Sequence, residues 1–309
     1  MSFAAQTKKE LTLIQEDACC QQAELEAIVG LIGRLSTSDN RRLLEIETEN
    51  VATARRIYTQ LRELFDIHPE VFVRKKMRLK KNNVYAVRVP LHAFGPLVGL
   101  GWLDEDGRTI AVVPSRKRKS CCRRAFLRGA FLASGSVNDP GSTSYHLEIT
   151  ATNAEWARKI QSLMNEYGLH AKVIARKRGY VVYLKEGEKI VEFLSLIGAH
   201  QALLKFEDVR ILKGMRNQVN RLVNCETANM NKTISAAVRQ LEVIQFIDDH
   251  MGLSNLPDKL REVAEIRRKY PEVNLQELCD RMSHKVSKSG LNHRFRKLEE
   301  IADKLRKSM

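Results

Sequence analysis

Features that mark several classes of protein are absent from this sequence. No apolar run approaches the roughly 20 residues that a membrane-spanning helix needs. The N-terminus lacks the charged-then-apolar pattern of a secretory signal. Aromatic residues make up only 6% of the chain, although a hydrophobic total of 43% is sufficient for real cores. These absences predict a cytoplasmic protein with no membrane partner.

Acidic residues are too few to balance the basic ones. Asp and Glu total 37 against 52 Lys and Arg, and the formal net charge is +15. A basic protein gains affinity for a polyanion because binding releases counterions from the phosphates. This balance favours a nucleic-acid partner, but it also fits an ordinary basic protein. The length of 309 residues predicts about two domains.

A segment near the N-terminus recurs 102 residues later. A Cys-Cys pair at Cys19 opens the first copy, and a second pair at Cys121 opens the other. Further on, the match continues one residue out of step, so that Asn50 corresponds to Asn153. A two-unit repeat of this length is too long for a solenoid module. It predicts two similar half-domains related by a pseudo-twofold axis.

Hydrophobic spacing predicts the same order of elements in both halves. In the first half we predict a helix at residues 23–35, a strand at 43–46 and a helix at 51–65. A hairpin with strands at 71–79 and 84–89 follows. In the second half we predict a helix that ends near residue 137, a strand at 145–150 and a helix at 154–167. A hairpin with strands at 172–176 and 180–184 follows, and then a last helix at 188–198. Residues 90–107 correspond to that last helix, but they are rich in Gly and Pro and lack a helical pattern.

Residues 126–137 resemble the helix that names the LAGLIDADG homing endonucleases. In that family two such helices pack side by side, and small residues at the third and ninth motif positions let the backbones approach closely. Those positions hold Gly129 and Gly135 in one copy, and Ala27 and Gly33 in the other. The resemblance implies a duplicated, pseudo-twofold domain.

The eighth motif position carries the metal-binding acid in that family, but here it is Ser134 in one helix and Ile32 in the other. Metal-assisted cleavage of a phosphodiester needs anionic oxygen ligands. The sequence therefore predicts a nuclease-like scaffold without catalytic residues. The alternative is a homing-type endonuclease with relocated acids, for which Asp39 and Asp139 are the nearby candidates.

The cysteines allow two interpretations. A cytoplasmic chain keeps them reduced, and the favoured interpretation is buried structural thiols. In the alternative, the two Cys-Cys pairs meet across the pseudo-twofold axis and form a four-cysteine zinc site. The tight C-x-x-C spacing of such sites is absent, so the sequence predicts no metal and no cofactor.

Both predicted hairpins are basic. In the homing endonucleases such sheets form a saddle along DNA, and the resemblance implies that these cations contact phosphates, which position a protein without specifying sequence. The alternative is a solvated sheet edge that lysine protects from aggregation. The candidate phosphate contacts are Arg74, Lys75, Lys76, Arg78, Lys172, Arg176 and Lys177.

The C-terminal part has a different character. Four closely spaced helices are predicted at residues 233–251, 256–270, 275–282 and 287–305. We therefore expect a first domain at residues 1–222, with half-repeats at about 19–115 and 121–205. A linker at 223–231 and an all-α domain at 232–309 follow it.

The last two predicted helices are joined by a short turn, as a helix-turn-helix requires. From Arg281 to Lys297 there are six basic residues and no acid, whereas acids follow from Glu299 onward. Asn and Arg can bind adenine and guanine edges, although an ordinary basic helix would look similar. The predicted DNA-binding residues are Arg281, Lys285, Ser287, Lys288, Ser289, Asn292, His293, Arg294, Arg296 and Lys297.

The whole chain resembles the WhiA family, most specifically at residues 229–233, 236–240, 259–262 and 287–294. The resemblance implies a bacterial protein that binds double-stranded DNA. In actinobacteria the family acts in sporulation-linked transcription, and in low-GC Gram-positive relatives it is associated with cell division and chromosome segregation.

Together these patterns predict an α+β protein with a duplicated LAGLIDADG-like domain followed by an all-α helix-turn-helix domain. We expect a non-catalytic, sequence-specific DNA-binding protein that is cytoplasmic and associated with the nucleoid. Other regulatory or cell-division proteins are further candidate partners. The remaining alternative is a scaffold whose first domain binds protein while the second tethers it to DNA.

Overall fold

The computed structural model describes residues 1–38, 41–75, 83–104, 106 and 119–308. The chain divides into two compact units, Met1–Lys213 and Gly214–Met309. The first unit combines helices with two antiparallel sheets, and the described part of the second is helical. The predicted α+β class is confirmed. No helix in the described ranges is both long enough and apolar enough to cross a membrane.

The first half of the first unit opens with an N-terminal helix that the sequence did not predict. The elements are α1 (Phe3–Leu11), α2 (Ala18–Ile32), β1 (Gly33–Ser38), β2 (Arg41–Thr48), α3 (Val51–Phe65), β3 (Glu70–Lys75), β4 (Asn83–Pro90) and the short α4 (Gly95–Gly99). The strand order is β1-β2-β4-β3. Among the described residues of this stretch, the 3-10 turn Leu91–Ala93 and the five residues of α4 stand where the second half has its last helix.

The second half repeats this order. Its elements are α5 (Ser120–Ser134), β5 (Gly135–Val137), β6 (Leu147–Ala151), α6 (Ala154–Glu166), β7 (Lys172–Arg176), β8 (Gly179–Leu184) and α7 (Gly187–Ile197). The sheet order β5-β6-β8-β7 is that of the first half. Even the caps correspond, because the side chains of Asn50 and Asn153 each accept a 3.0 Å hydrogen bond from the backbone N–H three residues on.

The two motif helices end earlier than predicted, and each continues directly into a strand. Helix α5 ends at Ser134, and Gly135 already has extended backbone angles. A Cβ on Gly135 would lie 2.6 Å from the carbonyl oxygen of Phe131 and 2.4 Å from its ring. Glycine therefore lets the chain leave the helix sharply at this point, which helical periodicity does not reveal.

Helices α2 and α5 pack against each other at the centre of the first unit. A Cβ on Gly129 would lie 2.1 Å from the carbonyl oxygen of Glu24, so only glycine permits this separation of the backbones. The predicted role of this small motif residue is confirmed. One hydrophobic core surrounds the helix pair and includes Leu25, Ile28, Phe126 and Phe131.

The second unit contains the C-terminal part of α8 (His200–His250), followed by α9 (Asp258–Lys269), α10 (Leu275–Asp280) and α11 (Lys288–Ser308). Its core includes Ile244, Val263, Leu278, Leu291 and Phe295. The sequence predicted a linker at residues 223–231, but these residues lie inside α8. There is no Gly or Pro between positions 215 and 251 to end the helix.

Candidate nucleic-acid interface

Helices α10 and α11 form the predicted helix-turn-helix pair, and a polar side chain caps each of them. The Oδ1 atom of Asn274 accepts hydrogen bonds from the N–H groups of Gln276 and Glu277, at 2.9 and 3.1 Å. The Oγ atom of Ser287 accepts from the N–H of Gly290 at 3.2 Å. Helix α10 ends at Asp280, so the connection to α11 is longer than the predicted four-residue turn.

A glutamate of α9 holds this connection. The Oε1 atom of Glu262 accepts a 2.7 Å hydrogen bond from the backbone N–H of Ser283. Hydrogen bonding from the side chain of Ser283, and then from its backbone, lowers the pKa of the Glu262 carboxyl, and the nearby positive charge of Arg294 acts in the same direction. The carboxylate form is therefore stabilised, and it ties the turn to the preceding helix.

Arg267 was not identified from the sequence, where it belongs to an unremarkable basic run of Arg and Lys. It is 2% exposed, and burial lowers the pKa of its guanidinium. Its Nη1 atom donates to the carbonyl oxygen of Val273 at 2.8 Å and reaches those of Tyr270 and Pro271 at 3.5 and 3.4 Å. Its guanidinium lies 5.7 Å from the ring centroid of Phe295. Arg267 therefore joins the α9–α10 connection to the core under α11.

Helix α11 has one buried face and one polar face. Leu291, Phe295, Leu298 and Ala302 are buried, as predicted. Among the predicted DNA-binding residues, Arg294 is half-buried. The others are exposed: Arg281, Lys285, Ser287, Lys288, Ser289, Asn292, His293, Arg296 and Lys297.

Three of the exposed residues already have partners. The guanidinium of Arg281 lies 4.7 Å from the ring centroid of Tyr270 and donates to the carbonyl oxygen of Glu277 at 3.1 Å. The hydroxyls of Ser287 and Ser289 are 3.1 Å apart. Such contacts limit how far Arg281 can extend from the end of α10.

In the first sheet the predicted phosphate contacts Arg74 and Lys75 lie on opposite faces, and Arg74 is already in ion pairs. Arg74 forms an ion pair with Glu45 and lies 3.4 Å from Glu47. Arg88 also binds Glu45, at 3.3 Å. Consecutive strand residues point to opposite faces, so Lys75 does not share the face of Arg74. Lys76 and Arg78 lie outside the described residues.

The second sheet presents its cations differently. Lys172 and Arg176 lie on the same face of the edge strand β7, and both are exposed. Among the described residues, neither has an ion-pair partner. Lys177 follows in the turn and is also exposed. The two sheets are alike in topology but differ in the availability of their charges.

The ends of the motif helices present no carboxylate at the positions that carry the acids in homing endonucleases. The Ser134 hydroxyl donates to the carbonyl oxygen of Thr150 at 2.6 Å, and Ile32 is partly buried in the core. Of the alternative acids, Asp139 accepts a 2.8 Å hydrogen bond from the N–H of Gly141 and thus stabilises its own loop. Asp39 lies outside the described residues.

The two Cys-Cys pairs meet at the N-terminal ends of α2 and α5. The Sγ atoms of Cys19, Cys20, Cys121 and Cys122 all lie within 4.8 Å of one another. Burial raises the pKa of Cys20 and raises that of Cys122 to about 11, whereas a hydrogen bond from Cys20 lowers the pKa of Cys121. The sequence analysis gave the meeting of the two pairs across the pseudo-twofold axis as the alternative to separate buried thiols. The structure shows that the pairs do meet.

Comparison with known proteins gives three family-model matches. They are the WhiA N-terminal LAGLIDADG-like domain at residues 18–95, the WhiA LAGLIDADG-like domain at 123–216 and the WhiA C-terminal HTH domain at 219–302. A protein from Brevibacillus brevis named "Probable cell division protein WhiA" is 58% identical over 308 residues, which cover 99% of this chain and 98% of that protein. One of the same name from Anoxybacillus flavithermus is 56% identical, covering 99% and 96%.

A solved structure matches along the whole chain. The crystal structure of full-length WhiA from Thermatoga maritima has a TM-score of 0.61 and 25% sequence identity. The match covers 98% of this chain and 99% of that one. The likeness therefore extends over the LAGLIDADG-like halves and the helix-turn-helix together.

Proposed function

Since this chain belongs to the WhiA family, whose C-terminal model is a helix-turn-helix domain, we propose that it binds double-stranded DNA sequence-specifically and does not cleave it. The observation that carries the proposal is the exposed polar face of α11. Asn292, His293 and Arg296 lie on that face within the first half of the helix. This is the part of a recognition helix that enters the major groove.

Base recognition needs side chains of defined orientation. The backbone of α11 is fixed by its buried face and by the Ser287 cap, and Arg267 of α9 packs against Phe295 on that buried face. Arg296 can bind the O6 and N7 atoms of guanine, and Asn292 can bind adenine. We therefore assign base contacts to these two residues, and phosphate contacts to Lys285, Lys288 and Lys297.

The second sheet supplies further phosphate contacts in this proposal. Lys172, Arg176 and Lys177 are exposed along one hairpin. Phosphate contacts add affinity and salt dependence but little sequence preference. The first sheet contributes less, because Arg74 is paired with Glu45 and Glu47, and Arg88 with Glu45.

A protein-binding role for the first sheet is the second candidate function. The edge strand β3 exposes Val71, Phe72 and Val73 by 47, 40 and 57%. An exposed apolar edge strand is a site where another chain can pair. Relatives carry cell division in their names, so cell-division or regulatory proteins are the partners we propose for this edge.

The absence of cleavage is supported by Ser134 and Ile32, which occupy the acid positions of the motif helices. Incubation of supercoiled DNA with the full chain and Mg²⁺ tests this point. We expect no nicking above a protein-free control. Reproducible nicking that is lost in an Asp39→Ala plus Asp139→Ala variant would instead establish the relocated-acid nuclease.

Chromatin immunoprecipitation with sequencing tests sequence-specific binding in the cell. We expect discrete peaks that share a motif and that disappear in an Arg296→Ala strain. A uniform signal over the chromosome, unchanged in that strain, would exclude sequence-specific binding through α11. The positions of the peaks would separate promoter occupancy, as in sporulation-linked transcription, from a role in chromosome segregation by a nucleoid-associated protein.

A further inference from the structure

We propose that Cys19, Cys20, Cys121 and Cys122 bind one thiophilic divalent cation of the zinc type, which links the N-terminal ends of α2 and α5. All four Sγ atoms lie within 4.8 Å of one another, and those of Cys121 and Cys122 are 4.0 Å apart. A tetrahedral site with Zn–S bonds of about 2.3 Å has sulfur–sulfur edges of about 3.8 Å. Small side-chain rotations would complete this geometry.

The absence of C-x-x-C spacing argued against zinc in the sequence. That spacing is needed only where one loop supplies two of the ligands. Here each pair comes from the first turn of a helix, and the fold brings the two helices together. Ligand separation is therefore set by helix packing and not by the sequence spacing within one loop. Four thiolates are soft ligands, which select Zn²⁺ over Mg²⁺ or Ca²⁺.

Buried structural thiols do not account for the cluster. Cys20 and Cys122 are buried, but Cys19 is exposed and Cys121 is partly exposed. Hydrophobic packing does not require a cysteine at the two accessible positions. Because Cys19 is exposed, a cation can reach the cluster from solvent at this residue.

Burial opposes ionisation of the Cys20 and Cys122 thiols, so the charge of the bound cation must stabilise the anionic form of such a site. Four thiolates around a divalent cation leave a net charge of −2, since the thiols release their protons to solvent on binding. All four cysteines lie in the first turns of helices, where unpaired N–H groups and the helix dipole stabilise negative charge. Lys119, immediately before α5, brings a positive charge to the same end of the helix.

The cluster is separate from the motif positions that hold the acids in homing endonucleases. Helix α5 has 15 residues, so at 1.5 Å per residue its first turn lies about 20 Å from Ser134 at the other end. A cation here would not take part in phosphodiester chemistry. It would crosslink the two halves of the repeat, beyond the close contact at Gly129.

The test is metal binding by the full chain, purified under reducing conditions. We expect about one zinc per chain by mass spectrometry of the metal content. Replacement by Co²⁺ should give the intense visible absorption of a tetrahedral thiolate complex. The Cys19→Ser plus Cys121→Ser variant should lose at least ten-fold in affinity, and it changes only the two accessible ligands, so folding should be retained.

The matched control is Cys225→Ser plus Cys279→Ser, which removes the same number of thiols from the second unit and should bind metal as the wild type does. The proposal is overturned if the reduced wild-type chain binds no Co²⁺, or if both double variants bind it equally. It is also overturned if intact-mass analysis shows disulfides between the two Cys-Cys pairs and the reduced chain takes up no metal, because the cluster would then be a redox pair.

Discussion

The Oε2 atom of Glu24 on α2 accepts a 2.7 Å hydrogen bond from Nε of Arg128 on α5, and both side chains are buried. Arg56 binds the same carboxylate, and Gln60 donates to it at 2.9 Å. The pair lies where Gly129 brings the two helices into contact. The interface between the two halves thus contains a buried carboxylate, that of Glu24, which Arg128, Arg56 and Gln60 all bind.

Replacing Arg128 with Met should destabilise the first unit by about 3–5 kcal/mol, because it leaves a buried carboxylate with part of its compensation removed. Both tryptophans of the chain, Trp102 and Trp156, lie in this unit. Urea denaturation followed by tryptophan fluorescence therefore measures the change directly.

An exposed ion pair provides the control. Arg123 lies 3.1 Å from Glu166, and both side chains are partly solvated. Arg123→Met should cost less than about 1 kcal/mol, as measured exposed pairs do. Equal losses for Arg123→Met and Arg128→Met would contradict the role of the buried pair.

The stability of the second unit should depend on pH through Glu262. The hydrogen bond from Ser283 lowers the pKa of this carboxyl below its ordinary 4.5. A depressed pKa contributes stability above the unfolded-state value, and that stability is lost as the pH falls through the folded value. We expect denaturation followed by circular dichroism to show a loss of stability below about pH 4.5 that is reduced in Glu262→Gln. Identical pH profiles for the two proteins would rule this contribution out.

Arg296→Ala should weaken specific DNA binding by roughly 5- to 150-fold, corresponding to about 1–3 kcal/mol for a base contact. Its binding to unrelated DNA should change less. Lys307→Ala is a matched control on the exposed end of the same helix, beyond the acids that begin at Glu299. Competition assays at fixed salt separate the two, and an unchanged specific affinity for Arg296→Ala would remove this residue from the interface.

The repeat made the order of elements in the first unit predictable. Once two copies share a pattern, a weak strand such as residues 43–46 is supported by its counterpart at 145–150. The caps at Asn50 and Asn153 are equally local signals. What local signals miss is α1 and the continuity of α8, because a polar stretch without Gly or Pro can be an exposed helix.

The sequence did not predict which charged side chains are buried or form ion pairs, since this depends on contacts between residues that are distant in the chain. Glu24 and Glu26 look like solvent-exposed positions in the sequence but are buried, with Lys159 binding Glu26 at 3.0 Å. Arg267 lies in a basic run with Arg268 and Lys269 but is buried against the core under α11. Each of these partners is fixed only by tertiary packing, which hydrophobic periodicity does not specify.

Ion pairing that the sequence did not predict also distinguishes the two sheets as candidate phosphate-binding surfaces. Arg74 and Lys172 were predicted as equivalent phosphate contacts on related hairpins. In the structure Arg74 pairs with Glu45 and Glu47, whereas Lys172 and Arg176 have no ion-pair partner among the described residues. Only cations that are free to neutralise phosphates release counterions from DNA.

We therefore expect Lys172→Ala plus Arg176→Ala to lower the slope of log affinity against log salt by about 2, and Arg74→Ala to leave it nearly unchanged. Fluorescence anisotropy of a labelled duplex over a series of salt concentrations measures both slopes. An unchanged slope in the double variant would mean that the second hairpin is a solvated edge. A lower slope in Arg74→Ala would mean that its ion pairs open on binding, so that both sheets contact the phosphates.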